Sequence, residues 1–169
     1  MCRSFWAPPS AWSSFNKRHL IESLARELAR AQRVRTPISV VLLDIDRFKN
    51  INDSFGHLAG DYALKALAHL LQTQLRRDEY LARYGGEEFA AVFVGAECDQ
   101  AAERADALRR SCESHAFEFE GRRLSITFSA GVAQAEPAQT PEEILGVADR
   151  RLYLAKQRGR NRVVAGGES

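Results

Sequence analysis

The run ISVVLLDID, residues 38–46, constrains this chain more than any other stretch. It is rich in leucine and β-branched residues, shorter than a typical helix, and apolar at both alternating sets of positions. It therefore reads as a central strand covered on both faces. With 169 residues, of which 45% are hydrophobic and 27% charged, the chain can bury one substantial core without disulfides or metals to staple it. The apolar run stops at Asp44, so a carboxylate stands where the strand leaves the core.

The flanking segments supply the other layers. Residues 16–33 carry Leu20, Leu24, Leu28 and Ala31 at helical spacing, an amphipathic helix. RFKNINDSFGH reads as a short helical turn and loop. Residues 57–75 then place Leu58, Tyr62, Leu67, Leu71 and Leu75 along one helical side, ending near Arg76 and Arg77. A hairpin over 79–94 turns at Gly85-Gly86, and 98–114 is a further helix. Residues 117–135 read as a strand pair around Gly121, with 124–135 the stronger strand. Thr140 caps a last helix that has Pro141 at its first position and closes at Gly159, and NRVVA adds a final strand. The strongest unit is βαββαβ, which predicts an α+β fold: a ferredoxin-like antiparallel sheet with helices packed on one face.

Several function classes fall away. A formal net charge of +2 is too small to argue for a nucleic-acid partner. Cys2, Cys98 and Cys112 match neither a disulfide framework nor a zinc pattern, which fits reduced thiols in the cytoplasm. No stretch approaches the ~18 apolar residues of a membrane span. Residues 1–15, with their prolines and serines, read as a linker or remnant ahead of one domain over 16–165, and 166–169 as a tail. Ser129 has no His partner for nucleophilic catalysis.

The chemistry concentrates around RYGGEEF, residues 83–89. In a sheet of this kind the end of the first strand and the turn of the hairpin lie side by side, so Asp44 converges with Glu87 and Glu88. Hard divalent cations such as Mg²⁺ take one or two carboxylates plus substrate phosphate oxygens, which two acids on adjacent strands provide. Adjacent strand residues face opposite ways, so Glu87 and Glu88 divide between metal and substrate. Gly85 and Gly86 supply positive φ, let a base or phosphate approach the backbone closely, or do both. Asn52 and Asp61 offer the acceptor and donor mix that reads a guanine edge. Lys49 and the amides after Asp46 suit a polyphosphate, with Lys156 and Arg160 at its outer end.

The combination of RYGGEEF, DIDRFKNINDSFGHLAGD and ADRRLYLAKQRGRNRV resembles the GGDEF family of diguanylate cyclases over roughly residues 16–165. The resemblance implies a palm-like sheet of the nucleotidyl-cyclase type that converts two GTP into cyclic di-GMP and two pyrophosphates. Each domain would be a half-site, so a second copy is implied as partner, with Mg²⁺ or Mn²⁺ as cofactor and a sensory or receiver domain upstream. It also implies roles. Asp44, the Ile45 carbonyl and Glu88 match the metal positions, and Glu87 the position beside the attacking 3′-hydroxyl. Asn52 and Asp61 match the guanine readers. Arg47, Phe48 and Lys49 match the phosphate loop, with Lys156 and Arg160 at the outer phosphates.

Two departures stand out. The family's feedback motif, RxxD, reads Arg76, Arg77, Asp78, Glu79 here, which puts tight product binding at that site in doubt. The family's opening DxLTGLxNRR is replaced by PSAWSSFNKR, so an active cyclase has a competing reading: a weakly active or inactive module that binds GTP or cyclic di-GMP as a receptor.

Overall fold

The computed structural model describes residues 17–166. The readings made for residues 1–16 and for most of the C-terminal tail lie outside the described residues. In chain order the elements are α1 (Lys17–Val34), β1 (Ile38–Ile45), α2 (Phe48–Phe55), α3 (His57–Gln74), β2 (Glu79–Arg83), β3 (Glu88–Val94), α4 (Cys98–Ser114), β4 (Phe117–Phe119), β5 (Arg122–Leu124), β6 (Phe128–Gln134), α5 (Pro141–Gln157) and β7 (Val163–Ala165).

Five strands form one sheet in the order β2-β3-β1-β6-β7, which puts β1 at its centre. Every residue of β1 is buried, and its side chains divide strictly between the two faces. Val41, Leu43 and Ile45 join α3 and α4 in one core, through Leu67, Leu71, Ala105 and Leu108. Val40 and Leu42 join α1 and α5 in the other, through Leu20, Leu24, Leu145 and Leu152. Helices therefore cover both faces of the sheet, not one as expected. A strand apolar at every position has two faces to remove from water, and one layer of helices serves only one of them.

The expected antiparallel sheet is also mixed. β1 pairs antiparallel with β3 and β6, and β2 with β3, but β7 runs parallel to β6. This follows from connectivity, because α5 lies between β6 and β7 and carries the chain back across the sheet. The stretch 124–135 is not one strand. β5 pairs with β4 in a separate two-stranded sheet, and β6 begins only at Phe128. At the break, Ile126 is buried and its carbonyl accepts the Cys112 Sγ–H. Leu58, placed on the apolar side of α3 by its spacing, is 71% exposed.

Thr140 caps α5 as expected: its side chain accepts from the Glu143 amide while the Glu143 carboxylate accepts from the Thr140 backbone N–H. Gly131 lets α5 settle onto β6, since a Cβ there would overlap the Ala148 carbonyl oxygen and the Leu152 nitrogen. That close approach fixes where the last turn of α5, which carries Lys156, meets the end of β1.

Candidate functional site

The register of β1 and β3 sets Asp44 directly opposite Glu88, and the Ile45 N–H donates to the Glu87 carbonyl at 3.3 Å. Directly paired residues on antiparallel strands have Cβ atoms ~5 Å apart, so the backbone alone brings the two carboxylates together. Asp44 is 6% exposed. Burial pushes its pKa up to about 6. The Lys156 ammonium, 3.0 Å from Oδ2, pulls it back, and the charges of Glu87 and Glu88 add to the rise. Three acids at one strand end call for a cation, and Lys156 supplies one from α5.

The turn between β2 and β3 is held from both sides. Tyr84 and Gly85 donate their N–H groups to the Glu88 carbonyl at 2.8 and 3.2 Å. The Arg83 guanidinium donates to the carbonyls of Gly85 and Gly86 at 3.1 and 2.7 Å. Neither glycine has positive φ, so left-handed backbone is not their purpose. Gly85 provides space: a Cβ there would stand 2.5 Å from Glu88 Oε2. The carboxylate lies over the glycine, and any larger residue would displace it.

Beyond Asp46 the chain enters α2 through Arg47, which adopts the left-handed conformation (φ 52°) and offers no side-chain cap. The first N–H groups of a helix have no partner within it and attract anions. Lys49 is exposed beside them, while Phe48 is half-buried against the core. One turn on, Asn52 packs over Gly60, in the first turn of α3 next to the exposed Asp61. Asn52 thus lies against the residue that directly precedes Asp61.

Arg160 is exposed on the turn after α5. Arg76 and Glu79 lie elsewhere: Glu79 pairs with Phe93, at the far end of the hairpin from Glu88. Glu79 accepts from the Arg76 backbone N–H at 2.7 Å and from the Arg104 guanidinium at 2.7 and 3.3 Å. Its carboxylate is thereby committed within the protein.

Three features were not read from sequence: the Lys156–Asp44 ion pair, the Arg83 grip on the glycine turn, and the bonds made by Asp46. The only signal for the last was the second acid of DIDRF, beside the site but unassigned. Asp44, Glu88 and the Ile45 carbonyl are hard oxygen donors that fit Mg²⁺ or Mn²⁺. Among the described residues no three His, Cys, Asp or Glu side chains form a ready metal cluster, so remaining ligands would come from substrate and water.

The family profile described as "Diguanylate cyclase, GGDEF domain" matches residues 14–162. The diguanylate cyclase DgcP of Pseudomonas aeruginosa is 40% identical over 148 residues, covering 88% of this chain and 22% of that protein. For DosC of Escherichia coli the identity is 36% over 149 residues, 88% of this chain and 32% of that protein. The chain thus spans less than a third of the length of these two curated relatives. Among solved structures, the GGDEF domain of DgcB from Caulobacter crescentus in complex with c-di-GMP is 32% identical. It matches with a TM-score of 0.84 over 88% of this chain and 89% of that one. The active GGEEF domain of a diguanylate cyclase from Vibrio cholerae is 35% identical, with a TM-score of 0.83 over 91% and 98%. With the profile covering most of its length and GGDEF domains of known structure matching at TM-scores of 0.83 and 0.84, the chain belongs to the GGDEF-domain family of diguanylate cyclases.

Proposed function

We propose that residues 16–165 form one half of a diguanylate cyclase, which with a second copy condenses two GTP into cyclic di-GMP and two pyrophosphates. The observation that carries this reading is the pairing of Asp44 with Glu88 on adjacent strands, with Glu87 beside them. Asn52 and Asp61 hold the guanine edge of one GTP. Arg47, Phe48, Lys49, Lys156 and Arg160 hold its triphosphate. Asp44, Glu88 and the Ile45 carbonyl would hold Mg²⁺ or Mn²⁺, which when bound supplies positive charge to the triphosphate. Glu87 takes the proton of the 3′-hydroxyl of the GTP on the facing copy. That oxygen bonds to the α-phosphorus as pyrophosphate departs, and the same step in reverse orientation closes the ring.

No helix of the described residues is long and apolar enough to cross a membrane. Cys98 and Cys112 are unpaired thiols, which suits a cytoplasmic site of action. The relatives are longer than this chain, which leaves room for a further domain, and on this reading it is a sensory or receiver domain upstream.

GTP turnover with Mg²⁺ across a wide protein concentration range, with products separated by chromatography, tests the reading. Cyclic di-GMP formed faster than linearly with concentration, and lost in Glu88→Ala, is the expected result. The second reading is a receptor without useful turnover; with Glu79 standing where the feedback motif has Asp and already bound by Arg104, it would hold nucleotide at Asn52 and Asp61 and not at the upstream motif. Tight nucleotide binding with no product in the same samples would select it.

A further inference from the structure

Asp46 is one of the four polar or charged residues buried among those described, and the proposed function gives it no role. It directly precedes Arg47, where the phosphate loop begins. Its carboxylate accepts three hydrogen bonds: from Ser129 Oγ at 2.6 Å, from Thr127 Oγ1 at 2.9 Å and from the backbone N–H of Asn161 at 2.9 Å. The third is the informative one. Arg160 and Asn161 both sit in the left-handed region, at φ 62° and 46°, two consecutive non-glycine residues in a conformation that side chains disfavour. Such a turn persists only where its surroundings hold it, and here a charge-assisted bond from a buried carboxylate holds the amide that follows Arg160. The Arg160 N–H is tied as well, to the Ala155 carbonyl at 3.1 Å. On the other side the Asn161 side chain accepts from Arg109 at 2.9 Å and donates to Glu113 at 2.8 Å.

We infer that Asp46 is a positioning residue for nucleotide binding: its carboxylate locks the Arg160 turn in place before GTP arrives, joining the two phosphate-holding segments, 47–49 and 160, at one point. It acts through Arg160 and does not itself touch nucleotide. The inference rests on the reading of Arg160 as a phosphate ligand. A turn already held in its strained form need not be ordered at binding, which is where preorganisation raises affinity.

The test is titration of 3′-deoxy-GTP, which lacks the attacking hydroxyl and cannot react, with Mg²⁺ into wild type, Arg160→Ala, Asp46→Ala, the double variant and Asp46→Asn. Loss of charge-assisted bonds to phosphate should weaken binding by Arg160→Ala roughly tenfold. Asp46→Ala should lose about as much, and the double variant no more than the worse single, because both act through one side chain. Asp46→Asn, which keeps an oxygen for the Asn161 N–H, should stay within about threefold of wild type. Losses that multiply in the double variant overturn the inference while leaving Arg160 in its role. Unchanged binding in Arg160→Ala overturns that role, and the inference with it. One measurement needs no variant to fold. In the nucleotide-free wild type the Asn161 amide should exchange its hydrogen slowly, and rapid exchange there, slowed only when 3′-deoxy-GTP is added, refutes a turn locked in advance.

Discussion

Replacing Lys156 by methionine keeps most of the side chain's bulk and removes the ammonium 3.0 Å from Asp44 Oδ2. The cost depends on pH and has a ceiling. With Lys156 in place, Asp44 titrates at about 6, held above its ordinary range by burial. Without the lysine the carboxylate can take up a proton instead. That escape costs ~1.4 kcal/mol for each pH unit above 6, so at pH 8 the charge-dependent loss cannot exceed ~3 kcal/mol. At pH 5 Asp44 is already largely protonated in the wild type and the loss falls towards zero. The sign for the metal-free wild type follows from the same shift. The folded chain holds the Asp44 proton more tightly than the unfolded chain, so this group withdraws stability as pH rises from about 4 to about 6. Urea unfolding in a chelator at pH 5 and pH 8 reads the difference between variant and wild type at each. A gap that widens to about 2–3 kcal/mol at pH 8, and closes again when Asp44→Asn is added, is the expected result. A gap of equal size at both pH values would refute the reasoning, because it would show that Lys156 contributes packing and not charge. Mn²⁺ binding without nucleotide, followed by paramagnetic resonance, should tighten in Lys156→Met, since the ion no longer competes with an internal cation.

Gly60→Ala brings a Cβ onto Asn52 Oδ1 and against the Phe48 ring, so GTP affinity should fall about tenfold, as for a lost hydrogen-bonding group, with little change in unfolding temperature. Gly131→Ala meets the backbone of α5 rather than a side chain that can move, and should destabilise by about 3 kcal/mol in urea unfolding. Arg104→Met strands the Glu79 carboxylate, 6% exposed at its side chain, and should cost about 3 kcal/mol, partly recovered by adding Glu79→Gln.

The central strand, the helices and the Thr140 cap were legible because each depends on residues within a few positions of one another. The acids of RYGGEEF were legible as a group because hairpin and first strand are neighbours in this fold. What escaped is tertiary. The Asp46–Asn161 bond joins positions 115 apart, and the Lys156–Asp44 pair needs α5 seated against β6 at Gly131 before lysine and aspartate meet. Gly85 in the hairpin shows the limit on a smaller scale. Sequence allows both a positive φ and a need for space, and only the position of the Glu88 carboxylate decides for space. Helices on one face was an error of a different kind, since ISVVLLDI already required two covered faces.

The non-glycine residues with positive φ among those described are Arg35, Arg47, Glu120, Ala138, Arg160 and Asn161. Two of the six, Arg47 and Asn161, border Asp46 in sequence or by hydrogen bond, a third, Arg160, directly precedes Asn161, and the same end of the sheet holds a buried carboxylate whose pKa is raised by burial. Packing explains none of these features. An apolar residue at Asp44 would suit the face it shares with Leu42, and a glycine at Arg160 would relieve the turn. Strain and unfavourable burial that collect in one place, while the rest of the core alternates cleanly between two helical layers, mark where stability is given up for function. That concentration singles out this end of the sheet independently of any resemblance. It also brings the carboxylates, the segment that begins at Arg47 and the Arg160 turn together around Asp46, so a change at Asp46 should register in nucleotide affinity as well as in the fold.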